Sequence, residues 1–313
     1  MTNGWGRTAA DMLDGGTPNE LLGRTSWTTG FETLDATLGG GLHAGELTLL
    51  GGAQGLGKTT LALQMARSVA RSGGRAAYVC YEHTEEELLA RLLLMESGLL
   101  APFDEPLPRH ALRGGDLSPD DERRLSEAGA SVRKYGERLR LVRGWGRSGQ
   151  GGLEAVAEAL DGAALFVDYL QKVPTDRPGA DEDERVTVVV ERLKDIALTR
   201  DVPVVAIVAS DKSGLASGRM RLRDLRGSTA LAYEADVALL LNDKMSVVAR
   251  HHLVYGSPDA ARFPEYVVCT VEKNRSGRAG VDLEMRKRFS HGHFEPLDRL
   301  VAERLVDDRV YVD

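Results

Sequence analysis

The sequence predicts an α/β fold, a mostly parallel sheet flanked by helices that ends in antiparallel strands, and three observations predict it. Apolar strand-like runs alternate with helical patterns up to about residue 245 of the 313, as strand–helix–strand crossovers require. The run Gly52-Ala-Gln-Gly-Leu-Gly-Lys-Thr-Thr60 fills every fixed position of the phosphate-binding loop G-x-x-x-x-G-K-[ST]. Beyond residue 245 the apolar runs follow one another with no helical pattern between them, so the sheet is expected to continue as hairpins.

Taken in order, strands are expected at 46–51, 75–81, 139–143, 164–168, 203–209, 236–241, 247–254, 265–272 and 281–286, and helices at 58–72, 84–97, 119–135, 151–160 and 185–201. Glu46-Leu-Thr-Leu-Leu50 reads as a buried strand entering the phosphate loop, and Leu61 to Ala70 as the apolar face of the helix leaving it. Ser118-Pro-Asp-Asp-Glu122 opens the third helix with a capping serine, a first-turn proline and early acids. Pro102, Pro106 and Pro108 make 101–117 an irregular connection, and Pro178, Gly179 and the acids of Asp181-Glu-Asp-Glu184 suggest a solvated loop over 175–184. Three segments follow: a linker at 1–25, one α/β domain at 26–295, and a tail at 296–313 whose Leu297, Leu300, Val301, Leu305 and Val306 form an amphipathic pattern, to dock on a neighbour or on its own core.

Composition narrows the function classes. Hydrophobic residues at 42% suffice for a sizeable core, and charged residues at 28% keep it soluble. A net charge of −7 means that a nucleic acid would have to meet a local basic patch, and 5% aromatics argue against an extended base-stacking platform. The two cysteines, Cys80 and Cys269, sit inside apolar runs and read as buried thiols of a reducing compartment. Met1 to Ala10 has no apolar leader core and no run reaches membrane-spanning length, so a cytoplasmic protein without a membrane partner is expected. His251-His252 and His291-Gly-His293 lack a zinc-type cluster and read as surface or hairpin histidines, and no G-x-S-x-G nucleophile motif occurs.

The phosphate loop implies a nucleoside triphosphate with Mg²⁺. Gly52, Gly55, Gly57, Lys58, Thr59 and Thr60 are the candidate nucleotide-binding residues: glycines let backbone N–H groups approach phosphate oxygens, Lys58 reaches the β- and γ-phosphates, and Thr59 holds Mg²⁺. Ala163-Ala-Leu-Phe-Val-Asp168 delivers an acid to the carboxyl end of a strand, where open α/β sheets bind ligands; Asp168 is then the second magnesium residue, or a strand-capping aspartate. Ala76 to Glu82 delivers another carboxylate to that edge. Glu82 either polarises the attacking water or supplies helix N-terminal charge.

These residues resemble the RecA-like ATPase core of the DnaB-type replicative hexameric DNA helicases over roughly residues 25 to 295. The likeness rests on Thr29-Gly-Phe-Glu-Thr-Leu-Asp35, the following Gly-Gly-Gly-Leu and Gly45-Glu-Leu47, the phosphate loop, Glu82 before a helix, Val167-Asp-Tyr-Leu-Gln171 and Val202-Pro-Val-Val-Ala206. Arg223-Asp-Leu-Arg-Gly-Ser228, Ala235-Asp-Val237 and Val271-Glu-Lys-Asn-Arg-Ser-Gly277 sharpen it. The resemblance implies a RecA-like fold and a hexameric ring hydrolysing ATP at subunit interfaces, with Glu82 as catalytic carboxylate and Lys273 and Arg275 reaching the neighbouring subunit's nucleotide. Without it, Lys273-Asn-Arg275 is also an ordinary hairpin tip. The segment 211–226, with Lys212, Arg219, Arg221, Arg223 and Arg226 against Asp211 and Asp224, corresponds to loops facing single-stranded DNA in that family, or is a basic surface loop.

Besides the tail from Pro296, which lies beyond the resemblance, the chain departs from the pattern in two places. About 25 residues precede the core, so the family's helical amino-terminal domain is not expected in this sequence, and no primase or loader partner is inferable. Ala209-Ser210-Asp211 stands where the family has a glutamine that senses the γ-phosphate. The implied function is a DNA helicase or translocase; the alternatives are an ATP-dependent regulator of the same fold, or a recombination-mediator ATPase that does not unwind DNA.

Overall fold

The computed structural model describes residues 8–14, 17, 25–101, 105–108, 110, 112, 114–145, 153–159, 162–175, 179–210, 218–227, 229–248 and 260–306. A two-residue ribbon pairs β1 (Ser26–Trp27) with β2 (Leu42–His43). The main sheet is built from β3 (Leu47–Gly52), β4 (Ala76–Cys80), β5 (Leu139–Arg143), β6 (Ala164–Asp168), β7 (Val204–Ala209), β8 (Val237–Asp243), β9 (Tyr266–Asn274), β10 (Val281–Arg288) and β11 (His293–Leu300). These nine strands lie in the order β11-β10-β9-β8-β3-β7-β6-β4-β5. From β8 to β5 every pairing is parallel, and β8 through β11 pair antiparallel. This is the predicted α/β, RecA-like class.

Side-chain alternation explains why the central strands read as continuous apolar runs. Tyr78 and Cys80 of β4, Phe166 of β6 and Val205 and Ile207 of β7 pack into one core with the Lys58–Arg71 helix. Val79, Leu165, Val167, Ala206 and Val208 pack into a second core on the other face with the Glu182–Arg200 helix. Both faces are covered, so both parities must be apolar.

Several expectations need correction. The acids expected in a solvated loop at 181–184 begin a helix instead: the Asp181 carboxylate accepts the Glu184 N–H at 2.8 Å, and Glu182, Asp183 and Glu184 fill the first turn, where the helix dipole favours negative charge. The strand expected at 247–254 is not a strand at its start, because Lys244–Val247 is helical, and 249–254 lies outside the described residues. β11 was not expected at all, and it runs across the boundary drawn at 295/296. Its Asp298 carboxylate accepts the N–H groups of Thr33 and Leu34 at 3.1 and 2.8 Å, and the Val306 N–H donates to the Val247 carbonyl at 2.7 Å. The described part of the tail therefore lies on its own core, while Leu297 is 79% exposed. Cys80 and Cys269 are free and buried, as expected, and His291 and His293 are hairpin residues at the β10–β11 turn, buried there and not at the surface. His251 and His252 lie outside the described residues.

One buried charge ties three helices together. Glu96, 1% exposed, accepts from Arg67 at 3.0 Å, from the Ser131 hydroxyl at 2.8 Å and from the Tyr135 hydroxyl at 2.7 Å. Burial alone would push its carboxyl up, but the Arg67 hydrogen bond and charge, with Tyr135 and Ser131, outweigh burial and hold it below its ordinary value of 4.5. A carboxyl depressed by folding stabilises above that value and loses its contribution as pH falls through the lower folded value. Glu96→Ala would leave Arg67 buried without its partner, a loss of about 3–5 kcal/mol. Urea denaturation at neutral pH should show that loss, and the acid dependence of stability below pH 4.5 should flatten in the variant. An unchanged midpoint would mean that the network is dispensable.

Candidate functional site

The carboxyl ends of β3, β4, β6, β7 and β8 share one edge of the sheet, and the turns leaving them build the site. Gly52, Gly55 and Gly57 take φ values of 154°, 83° and 87° as the chain swings from β3 into the Lys58–Arg71 helix. At Gly57 the requirement is also spatial: a Cβ would stand 2.6 Å from Phe289 Cζ and 2.9 Å from Phe294 Cζ. Lys58 Nζ donates back to the carbonyls of Gly52 at 2.7 Å and Ala53 at 3.0 Å, within the loop that it closes. Burial lowers the Lys58 pKa from its ordinary value, and Asp168 and Glu82 oppose that shift. Thr59 and Thr60 follow in the first helical turn.

Asp168, at the end of β6, is 1% exposed and accepts from the Tyr78 hydroxyl at 2.9 Å and from the Thr59 hydroxyl. Burial pushes its carboxyl up despite those hydrogen bonds. A buried carboxylate beside a helix-start hydroxyl is a hard-oxygen donor pair, the kind that Mg²⁺ takes together with phosphate oxygens. The donor set therefore fits the cation that the sequence implies. Among the described residues no group of three or more His, Cys, Asp or Glu side chains is placed to hold a metal by itself. The neighbouring Cys80 thiol is pushed up to about 11 by burial and then by Asp168, so thiolate chemistry is absent at neutral pH.

Glu82 follows β4, outside the Glu85–Leu100 helix. That helix is capped without it: Thr84 and Glu87 form a reciprocal capping box, and Glu85, Glu86 and Glu87 fill the first turn. Glu82 instead pairs with Lys172, Nζ to Oε1 at 3.1 Å, and is close enough to Lys58 and Asp168 to act on both charges. The phosphate loop, Asp168 and Glu82 are thus brought together.

Lys273 and Arg275 are not part of that cluster. β9 runs antiparallel to β8 with Asn274 opposite Val237, so the pair stands at the amino-terminal edge of the parallel strands. Arg275 binds Asp236 at 3.1 Å and the Tyr233 carbonyl, and Lys273 Nζ donates to the Ala232 carbonyl at 2.7 Å. Asp236 also accepts from the Leu47 N–H at 2.8 Å and Lys194 at 2.6 Å.

The basic segment is only partly available. Lys212 lies outside the described residues. Arg219, expected to face DNA, is 6% exposed and bound to Asp282 and to the Thr270 hydroxyl, so burial between β9 and β10 takes it off that surface. Arg221 lies 3.8 Å from Glu272, and Arg226 pairs with Glu182 at 2.6 Å. Arg223 remains outward, its side chain 66% exposed.

Sequence reasoning missed three side chains at this edge. Tyr78 shares the Cys80 face of β4 by simple alternation, the signal that places it over Asp168. Gln171 accepts the Ala209 N–H at 3.1 Å and donates to the Arg226 carbonyl at 2.7 Å, bracing the end of β7 where Ala209-Ser210-Asp211 carries no glutamine of its own. Lys172 was visible only as a cation following Asp168-Tyr-Leu-Gln171.

A family model described as the DnaB-like helicase C terminal domain matches residues 27–294. The chain is similar to the replicative DNA helicase DnaB of Treponema pallidum, 32% identical over 219 residues that cover 68% of this chain and 47% of that protein. It thus spans about half the length of that curated relative. A shorter similarity, 48% identity over 63 residues, or 20% of this chain and 14% of the other, is to the DNA repair protein RadA of Mycolicibacterium smegmatis. Among solved structures the fold is shared with the ATPase domain of G40P, at TM-score 0.68 and 19% identity over 86% of this chain and 90% of that one. It is also shared with a DnaB-like replicative helicase studied with its primase interactions, at TM-score 0.70 and 18% identity over 89% and 66%. No helix among the described residues is long and apolar enough to cross a membrane.

Proposed function

This chain belongs to the DnaB-like helicase C-terminal domain family, and from that membership we propose that it is a Mg²⁺-dependent ATPase working in a homo-oligomeric, hexameric ring as a helicase or translocase on single-stranded DNA. The observation that carries the reading is a division of labour between the two edges of one sheet. Lys58, Thr59, Asp168 and Glu82 meet at the carboxyl edge, while Lys273 and Arg275 stand at the other. Five residue steps along β3 put about 17 Å between those edges, too far for Arg275 to touch a nucleotide on its own phosphate loop.

In this reading the loop N–H groups and Lys58 bind the β- and γ-phosphates, Lys58 exchanging its two carbonyl partners for phosphate oxygens. Thr59 and Asp168 would hold Mg²⁺, which when bound neutralises charge on those oxygens. Glu82, freed from Lys172, accepts a proton from the water that attacks the γ-phosphorus. Lys273 and Arg275 of an adjacent subunit meet the charge that develops on the transferred group. In the basic segment, Arg223 and Arg226 have side chains more than half exposed, 66% and 53%, and would meet a DNA backbone by exchanging Asp224 and Glu182 for phosphates.

Lys58→Ala tests the nucleotide site. Removing a charged hydrogen-bond donor should weaken ATP binding by about 10- to 150-fold, the equivalent of about 1.5–3 kcal/mol, with the circular dichroism unchanged. Wild-type affinity and turnover in the folded variant would overturn the assignment. The RadA similarity favours a second reading, a DNA-remodelling ATPase without unwinding activity. Release of a strand from a forked duplex distinguishes the two.

A further inference from the structure

The pairing of Glu82 with Lys172 has no part in the chemistry just proposed, and it stands against it. The Glu82 oxygen held by the Lys172 ammonium at 3.1 Å must leave that partner before it can take a proton from a water. The backbone that carries Lys172 is held in place. Lys172 ends the Leu170–Lys172 turn, which starts from fully buried Leu170 and is closed by the Lys172 N–H to the Tyr169 carbonyl at 3.0 Å and the Val173 N–H to the Leu170 carbonyl at 3.1 Å. Its ammonium lies 5.5 Å from the centre of the Tyr169 ring, and the Glu82 carboxylate holds that ammonium above its ordinary pKa, so it stays charged at neutral pH.

The residue before Lys172 faces the other way. Gln171 grips the Ala209 N–H at the end of β7 and the Arg226 carbonyl with the two ends of one amide. Ala209 and Arg226 are themselves joined, the Arg226 N–H donating to the Ala209 carbonyl at 2.8 Å. A shift of that backbone pulls on Gln171 and, through a single hydrogen-bonded turn, on Lys172.

We propose that Lys172 is a restraining residue that keeps Glu82 in an inactive ion pair, and that the Leu170–Lys172 turn releases it when single-stranded nucleic acid engages the Arg223 to Arg226 side of the turn. The inference rests on Glu82 being the catalytic carboxylate of the function proposed above. Nucleic acid need only bind the opened arrangement better than the closed one to drive the release. Because the pair is partly exposed, with side chains 44% and 35% accessible, the restraint is modest.

Steady-state ATP hydrolysis by the full chain, with and without an oligothymidine strand, tests it. Lys172→Met should raise the rate without DNA by about 1.5- to 5-fold, the range that an exposed pair supports, with KM for ATP unchanged. Stimulation by the oligonucleotide should fall by the same factor. Lys172→Arg, which keeps the pair, should restore the wild-type pattern. A folded Lys172→Met protein with an unchanged or lower rate, or with undiminished stimulation, would overturn the proposal. Glu82→Gln run in parallel separates the two levels: a slow Glu82→Gln enzyme beside an unaltered Lys172→Met enzyme rejects the restraint alone, whereas normal turnover by Glu82→Gln rejects the catalytic assignment and the restraint with it.

Discussion

Arg275→Ala should lower ATP turnover by about 10³- to 10⁵-fold in assembled rings, the range in which an arginine supplied to a phosphoryl-transfer site acts. The fold should survive the change, because Asp236 keeps Lys194 and the Leu47 N–H as partners. The proposed trans role rests on position: Arg275 lies at the edge of the sheet opposite Lys58, out of reach of its own phosphate loop. Mixing decides the question. Arg275→Ala and Glu82→Gln subunits should each be nearly inactive alone, while mixed rings regain activity at interfaces where an intact Glu82 meets an intact Arg275. Full turnover by a monomer would reject the trans mechanism.

Glu82→Gln should keep ATP binding and lose about 10²- to 10⁴-fold in kcat, since the amide retains the shape and loses the basic lone pair. The cap of the Glu85–Leu100 helix does not use Glu82, so the variant has no structural reason to unfold. Single-turnover hydrolysis with the affinity measured separately checks this. Affinity and rate falling together would make Glu82 a structural residue.

The central parallel strands β3, β4, β6 and β7 were legible because they are buried on both faces and read as apolar runs, and β3, β4 and β6 end in turns that carry the motifs. Elements without such a run were missed. β11 carries Pro296, Asp298 and Arg299 with an exposed face, so its sequence resembles a tail, and only pairing with β10 makes it a strand. The phosphate loop could be found by local pattern alone, since its chemistry fixes residue type and spacing together, whereas the strand-end acid Asp168 gained weight only from that loop upstream. Arg219 shows the opposite case: its partners Thr270 and Asp282 lie 51 and 63 residues away, and nothing near position 219 announces that it is buried. Glu82 was found while its partner was not, because an ion pair across two turns leaves no spacing to read.

The contact of Gly57 with Phe289 and Phe294 sets the length of chain that the nucleotide site needs. The last recognisable motif ends at Gly277, and a protein engineer trimming to motifs would cut there. That cut would keep Lys58, Thr59, Glu82, Asp168 and Arg275 and remove both rings that back the glycine, together with the Phe294 carbonyl and N–H that clamp Gln64, both at 2.9 Å, on the helix leaving the phosphate loop. The smallest piece that retains every proposed site residue is therefore shorter than the smallest piece that can hold them in place, and the difference is a hairpin with none of those residues in it.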